Sequence, residues 1–298
     1  MERTFGSSEL LSTKYPARVI RGFVTLPDCQ VHYRTAQSYQ ATSRRNDTPL
    51  VMLHASPGSS KLLEPLMKQL ALTRQVYAPD TLGNGDSSAP VSEQADIHYF
   101  ADVHVRAIAE LGIEKFDLYG SHTGANIACE IAINYPERVR RLVLDGVSLY
   151  SAKEREEMLI NYAPGVPIDH NGSQFAWIFQ FVRDVYLFWP WYKKDAAHRR
   201  SLGLPNADEL HDKAVEVLKA TRTYHIPYNA AISYDKAPRL PLVQVPTLLA
   251  CASTDMFIEY FEDICRLMPD AETLITSGTA HPLALRETAE NFCEFLER

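Results

Sequence analysis

The 298-residue sequence predicts an α/β fold, with a mostly parallel eight-stranded sheet that is flanked by helices. Short apolar runs bounded by turn residues recur along the chain, and longer segments with helical periodicity lie between most of the later runs. This alternation of strand and helix is typical of a parallel sheet covered on both faces. The apolar content of 46% is sufficient for one large core.

The predicted strands are short, and turn residues bound most of them. They are expected at 22–26, 31–34, 50–54, 76–79, 116–120, 142–145, 247–251 and 273–276. The clearest helical segments between them are 102–111, 125–135 and 260–267. The order of these elements predicts one core domain with an insertion.

The insertion is predicted where the alternation stops and aromatic residues become frequent. We expect an inserted helical cap over 147–240, and a core domain formed by 1–146 and 241–298. The centre of the cap, FAWIFQFVRDVYLFWPWY, presents one helical face at spacings of four, four and three, made of Trp177, Phe181, Val185 and Phe188. These side chains either pack the helix onto the core or line a pocket.

Charge and cysteine usage bear on partners and compartment. The 30 basic and 37 acidic residues give a formal charge of −7, which repels nucleic acid and anionic lipid. No apolar run has the length of a membrane span, and the first residues lack the pattern of a signal peptide. The five cysteines contain no C-x-x-C pair, which favours free thiols in a reducing compartment. We expect a cytoplasmic protein that binds neither nucleic acid nor membrane; a homodimer is left open.

Two early turns are candidates for supporting an active site. The segment VMLHASPG at 51–58 ends a strand before a helix, and backbone N–H groups of such a turn can stabilise an oxyanion. It is also typical of an ordinary strand-to-helix loop. The segment DTLGNGDS at 80–87 has two glycines that permit tight backbone geometry, and we expect it to be structural.

The most informative turn is GSHTG at 120–124, where glycines stand two before and two after His122. A sharp elbow that lifts its central side chain above a sheet needs small flanking residues, because a Cβ there would collide with its neighbours. Centring the turn on Ser121 would put Tyr119 where a small residue is needed. The sequence therefore predicts His122 at the tip of the elbow.

A carboxylate and a histidine follow the last two predicted strands. Asp255 comes just beyond 247–251, and His281 comes beyond 273–276, directly before a helix opened by Pro282. A carboxylate can fix the tautomer of an imidazole that is presented beside it. Taken alone, a histidine at a helix start is more often a capping or surface residue.

In their order along the chain, these features resemble the α/β-hydrolase superfamily, in the branch with an inserted helical cap. The features are the turns at 51–58, 80–87 and 120–124, followed by Asp255 and His281. The resemblance runs from about Gly22 to the C-terminus and excludes the cap, where no signature is recognised. Members of the superfamily carry a nucleophile at the elbow, followed along the chain by an acid and a histidine. The resemblance therefore implies an enzyme active site at the elbow.

Carried over to this chain, the resemblance assigns roles residue by residue. The elbow's central position is His122, the acid is Asp255 and the base is His281. The backbone N–H groups of Ser56 and Thr123 are the implied oxyanion donors. The departure from the family is the tip of the elbow, where a histidine replaces the usual serine.

Three interpretations of His122 are open, and Asp145 is an alternative acid. His122 can act as a nucleophile or a general acid/base opposite His281, since imidazole has a reference pKa of about 6.5. Alternatively, the site has lost its nucleophile and binds a small apolar ligand without catalysis. In the third interpretation, His122, His281 and a carboxylate hold a metal, although no ligand spacing supports it.

The aromatic residues of the cap indicate the class of substrate. We expect the substrate to contact Trp177, Phe181, Tyr186 and Trp189, and therefore to be apolar or aromatic. The leading expectation is a hydrolase without cofactor or metal that cleaves an ester, a lactone or a carbon–carbon bond of a small carbonyl compound. The alternatives are a cofactor-free decarboxylase, lyase, cyclase or oxygenase, and a non-catalytic small-molecule-binding protein.

Overall fold

The computed structural model describes residues 17–37, 48–201 and 203–298, and a sheet of eight strands lies at its centre. The strands are β1 Arg18–Thr25, β2 Gln30–Gln37, β3 Leu50–Leu53, β4 Val76–Pro79, β5 Phe116–Ser121, β6 Val139–Asp145, β7 Thr247–Ala252 and β8 Glu272–Thr276. Their order in the sheet is β1-β2-β4-β3-β5-β6-β7-β8. β2 pairs antiparallel with β1 and β4, and the other neighbours are parallel. The predicted eight-stranded, mostly parallel sheet is confirmed.

Helices cover both faces of this sheet. They are α1 Glu64–Leu70, α2 Ile97–Glu110, α3 Thr123–Asn134, α4 Ala152–Asn161, α5 Ser173–Leu187, α6 Ala207–Lys219, α7 His225–Ser233, α8 Phe261–Leu267 and α9 Pro282–Glu297. Apolar residues of α2 and α3 form one buried cluster with the sheet, and those of α1 and α9 form another. The central strand β3 is fully buried, which explains its continuous apolar sequence.

The segment between β6 and β7 contains α4 to α7 and, in its described residues, no strand of the sheet. Two aromatic-rich clusters lie within it, while α7 also packs against α2 and α3. Helix α5 ends at Leu187, so Phe188 is extended and lies outside the predicted helical face. A separate cap over 147–240 stays a prediction.

The five cysteines are free thiols, as the sequence predicts. Cys129 and Cys251 are buried within the core, and the other three are half-buried. No helix of the described ranges is long and apolar enough to cross a membrane.

The register of the parallel strands brings several strand ends to one edge of the sheet. Paired residues at or next to this edge are Leu53 with Gly120, Ser121 with Asp145, and Ala252 with Thr276. The turns that follow β3, β5, β6, β7 and β8 therefore meet there, and the candidate site lies among them.

Candidate active site

His122 occupies a sharp turn between β5 and α3. Its φ of 51° and ψ of −108° make it the one non-glycine residue with positive φ among those described. Such a backbone conformation costs about 1–3 kcal/mol and is found mainly at functional sites. A Cβ at Gly120 would lie 2.3 Å from the Gly124 carbonyl oxygen, and one at Gly124 would lie 2.2 Å from that of Leu53. The turn has the predicted elbow geometry, with His122 at its centre.

The tight packing behind the elbow predicts a large effect of Gly124→Ala on stability. The added methyl group would collide with the main chain of β3, so we expect this change to lower the free energy of unfolding by about 3 kcal/mol or to prevent folding. Gly203→Ala is the matched control, because a Cβ at Gly203 would meet nothing within 4 Å. Urea unfolding of both variants measures the difference, and equal stabilities would contradict the packing described for the elbow.

The imidazole of His122 is held by Asp255. Its Nε2 lies 2.8 Å from Asp255 Oδ2, while Asp255 Oδ1 accepts the Phe257 N–H at 2.8 Å. The imidazole also packs against the Phe257 ring, with centroids 4.7 Å apart. The side chains of His122 and Asp255 remain 23% and 17% exposed. Because Asp255 binds Nε2, Nδ1 is the ring nitrogen left to exchange a proton with a ligand.

Gly146, directly after β6, makes room for this contact. Its φ is +67°, and a Cβ there would lie 2.6 Å from Cδ2 and 2.7 Å from Nε2 of His122. Only a glycine therefore lets the ring reach Asp255 in this position. Gly146 is not among the site residues predicted from the sequence; the available signal was a glycine immediately after the strand-ending Asp145.

The charges around His122 favour its protonated form. Burial lowers the pKa of the imidazole, but the charge and hydrogen bond of Asp255, with the charge of Asp145, raise that pKa above its ordinary value. Burial raises the pKa of Asp255, but His122 and the Phe257 N–H hold it below its ordinary value. The neutral imidazole, which can act as a base, therefore becomes the main form only as the pH rises above the usual histidine range.

Asp145 and Tyr119 form a second pair in the same cavity. The Tyr119 hydroxyl donates to Asp145 Oδ2 at 2.7 Å. Burial raises the pKa of Asp145 to about 6 against the opposing effect of this hydrogen bond. Asp145, the alternative acid, therefore binds Tyr119 while Asp255 binds His122. The sequence analysis missed Tyr119 as a site residue, although a tyrosine in a buried strand next to an elbow was a usable signal.

His281 lies apart from this pair, in contrast to the prediction. Its Nδ1 accepts the Leu283 N–H at 3.3 Å, which caps α9, and its side chain is exposed. Thr279 and Ala280 line the cavity beside His122, but His281 does not. The physical reason is local: Pro282 opens α9, so His281 takes the N-cap position, and both Asp255 oxygens already accept hydrogen bonds.

A cavity of about 350 Å³ lies beside His122 and Asp255. One wall is apolar and comes from the turn and helix after β3, with Leu62, Leu63, Pro65 and Leu66. Arg200 and Lys213 of the β6–β7 segment also line it. A more open cleft shares Leu62, Lys213 and Ala280 with this cavity and extends outward to Tyr186.

The four aromatic residues predicted to contact the substrate do not line the cavity at His122. Phe181 is fully buried and stacks on Trp177 at 5.3 Å, so this pair packs the interior of the β6–β7 segment. Tyr186 lies in the outer cleft. Trp189 lines a separate cavity and contacts Phe257 at 5.4 Å. The sequence left two alternatives for this helical face, packing or pocket lining. Trp177 and Phe181 pack against each other and do not line the cavity at His122.

The turn after β3 is held in a fixed geometry by His54. His54 Nε2 accepts the Thr81 N–H at 2.9 Å and Nδ1 lies 2.8 Å from the Ala55 carbonyl oxygen, so the buried ring is neutral with its proton on Nδ1. Within the described residues, the backbone N–H groups of Ser56 and Thr123 donate no hydrogen bond. Both groups are therefore available as oxyanion donors, which remains a proposal.

One cluster of the described residues has the spacing of metal ligands, and it lies away from His122. It consists of His32, Asp80 and Asp86. Asp80 binds His32 Nδ1 at 2.8 Å and accepts the Asp86 N–H at 3.1 Å, while Lys219 pairs with Asp86 at 3.0 Å. These bonds stabilise the turn at 80–87, consistent with the structural role predicted for it.

Comparisons with known proteins support the fold of this chain. A family model described as the α/β hydrolase fold matches residues 48–171. Among solved structures, the enol-lactonase from Burkholderia xenovorans LB400 has a TM-score of 0.67 at 15% identity, over 93% of this chain and 100% of that one. Epoxide hydrolase A from Mycobacterium thermoresistibile has a TM-score of 0.71 at 17% identity, over 94% and 98%. These two likenesses show the fold.

Two curated relatives are named as hydrolases. The 2-hydroxymuconate semialdehyde hydrolase of Pseudomonas sp. (strain CF600) is 44% identical over 101 residues, which is 33% of this chain and 36% of that protein. The match therefore spans little more than a third of that relative's length. The putative carbamate hydrolase RutD of Yersinia enterocolitica is 24% identical over 245 residues, or 78% and 80% of the two chains. With its elbow, its sheet order and these likenesses, the chain has the α/β-hydrolase fold.

Proposed function

We propose that this chain is a hydrolase that cleaves an ester, a lactone or a carbon–carbon bond of a small carbonyl compound, with His122 and Asp255 as its acid–base pair. The contact between the elbow imidazole and Asp255, beside a cavity, carries this proposal. The names of the relatives indicate a semialdehyde, a carbamate and an enol-lactone as their substrates, which supports carbonyl chemistry.

In the proposed reaction, a water molecule replaces the serine of typical relatives as nucleophile. The neutral imidazole of His122 removes a proton from water through Nδ1, and the water oxygen bonds to the carbonyl carbon. The carbonyl oxygen becomes an oxyanion that the N–H groups of Ser56 and Thr123 stabilise. The bond to the leaving group then breaks, and the imidazolium of His122 returns the proton to that group. Asp255 keeps the ring oriented and stabilises its charged form.

A non-hydrolytic reaction is the second candidate, and Asp145 favours it. Its carboxyl has a pKa of about 6 and bonds to Tyr119, so the cavity contains a second group that exchanges protons near neutral pH. Two such groups suit elimination or decarboxylation, in which protons move at a substrate carbon and water is not incorporated.

Hydrolysis in H₂¹⁸O distinguishes the two candidates. The protein is incubated with a panel of esters, lactones and vinylogous diketones, and the products are analysed by mass spectrometry. We expect one ¹⁸O atom in the new carboxylate, and product formation that is slower by about 10³-fold with the His122→Gln variant. A product without ¹⁸O would favour the second candidate, and saturable ligand binding without any product would favour a binding protein.

A further inference from the structure

Two positively charged side chains, Arg200 and Lys213, line the cavity beside His122. Arg200 donates from Nη1 to the Val185 carbonyl oxygen at 2.9 Å and from Nη2 to that of Thr254 at 3.2 Å. Lys213 Nζ lies 4.8 Å from the centroid of the Tyr186 ring. In the part of the chain that the structure describes, neither side chain forms an ion pair. Half-buried cations that lack a counter-charge are costly, so a bound anion would complete this part of the cavity.

The acidic groups near these two cations act on them at a longer range than an ion pair. Asp255 binds His122 at 2.8 Å and also interacts through its charge with Arg200. Asp145 bonds to Tyr119, and the charge of Glu209 acts on Lys213. The lining of the cavity also includes four apolar residues, Leu62, Leu63, Pro65 and Leu66. The lining of the cavity therefore combines charged and apolar residues with the His122–Asp255 pair.

We propose that Arg200 and Lys213 form a carboxylate-binding subsite, so that the substrate is a carbonyl compound with a carboxylate and an apolar body. Guanidinium and ammonium groups are the usual partners of a carboxylate, and the apolar wall accommodates the rest of the molecule. The reaction at the carbonyl rests on the proposed function, but the binding of the carboxylate does not. This replaces the expectation of a purely apolar or aromatic substrate.

The protonation of Lys213 gives the subsite a characteristic pH dependence. Burial lowers the pKa of Lys213 to about 8; Glu209 opposes this shift and Arg200 adds to it. Other charged groups that line the outer cleft around it are Lys61, Glu64, Lys68, Asp208 and Asp212. Lys213 is charged at neutral pH and loses its proton as the pH rises through about 8, so carboxylate binding should weaken above that pH by up to about tenfold per pH unit.

A matched pair of unreactive ligands tests the subsite. The dissociation constants of 3-phenylpropionate and 3-phenylpropionamide are measured by calorimetry with the full chain. We expect the carboxylate to bind at least about tenfold more tightly, and Lys213→Met and Arg200→Met each to remove most of that preference without weakening the amide. Lys213→Arg should keep the preference and abolish its decline above about pH 8. Lys115→Met, which removes one charge from an exposed residue, is the control.

Equal affinity for the two ligands, or an unchanged preference in Lys213→Met, would overturn the proposal. Neither ligand is an ester, a lactone or a ketone, so their binding can be measured without the proposed reaction. A retained preference together with a fully active His122→Gln variant would refute the proposed function alone. If the wild-type protein shows no preference for the carboxylate, but hydrolyses neutral esters in a reaction that depends on His122, the subsite alone would be refuted.

Discussion

His122→Gln is expected to lower kcat/KM by about 10³-fold while the protein remains folded. General acid–base catalysis by one side chain contributes roughly 10²–10⁴-fold, and the proposed reaction assigns both proton transfers to His122. Glutamine suits this test because its side-chain amide can still donate to Asp255 Oδ2, where His122 Nε2 now binds. It cannot exchange a proton near neutral pH, so the chemistry is lost and the local packing is retained.

His281→Asn is the matched control for this variant. Asparagine is a good N-cap residue, so the start of α9 should be preserved. Because the His281 side chain is exposed and lies outside the cavity, we expect kcat/KM to stay within about twofold of the wild-type value. Steady-state kinetics and thermal unfolding of the two variants check both expectations. A large loss in His281→Asn with little change in His122→Gln would contradict the assignment of His122.

Asp255→Asn is expected to reduce kcat/KM by about 10²–10⁴-fold and to change its pH dependence. The asparagine side chain has the same shape, and its oxygen can still accept the Phe257 N–H. Its NH₂ group then faces His122 Nε2, which forces that nitrogen to accept a hydrogen bond. The proton of the neutral ring moves to Nδ1, so the nitrogen that should act as a base loses its lone pair.

The pH profile tests the electrostatic part of this argument. In the wild-type protein kcat/KM should rise as His122 deprotonates, at a pH above the ordinary histidine pKa of 6.5, because Asp255 favours the charged ring. In Asp255→Asn, burial dominates and lowers the pKa of His122, so the rise of kcat/KM should occur at lower pH. Asp145→Asn removes a charge that has a smaller effect on the pKa of His122, so it should shift the rise of kcat/KM by less. If kcat/KM of Asp255→Asn rises at the same pH as in the wild-type protein, the pairing of His122 with Asp255 is contradicted.

The fold could be predicted because its signals are local. Buried parallel strands such as β3 and β7 require continuous apolar runs, and the elbow requires glycines at fixed positions around its centre. The start of β1 was harder to place, since this antiparallel edge strand is largely exposed and begins at Arg18 instead of residue 22.

The site could be predicted only in part, because side-chain direction depends on packing that the sequence does not specify. The elbow and the carboxylate after β7 were found from their positions in the chain. The role of His281 was inferred from chain order, but its position next to Pro282 makes it a helix cap in this structure. The aromatic residues of α5 were assigned to the substrate, whereas Phe181 packs against neighbours within its own segment.

A structure of the protein with a carboxylate-bearing aryl ketone bound would show which histidine meets the reacting carbonyl group. We expect the ketone carbon within about 3.5 Å of His122 Nδ1 or of a water molecule bound to it, the carboxylate at Arg200 and Lys213, and His281 still capping α9. A complex in which the His281 imidazole lies between the ligand and Asp255, with His122 turned away from the ligand, would contradict it.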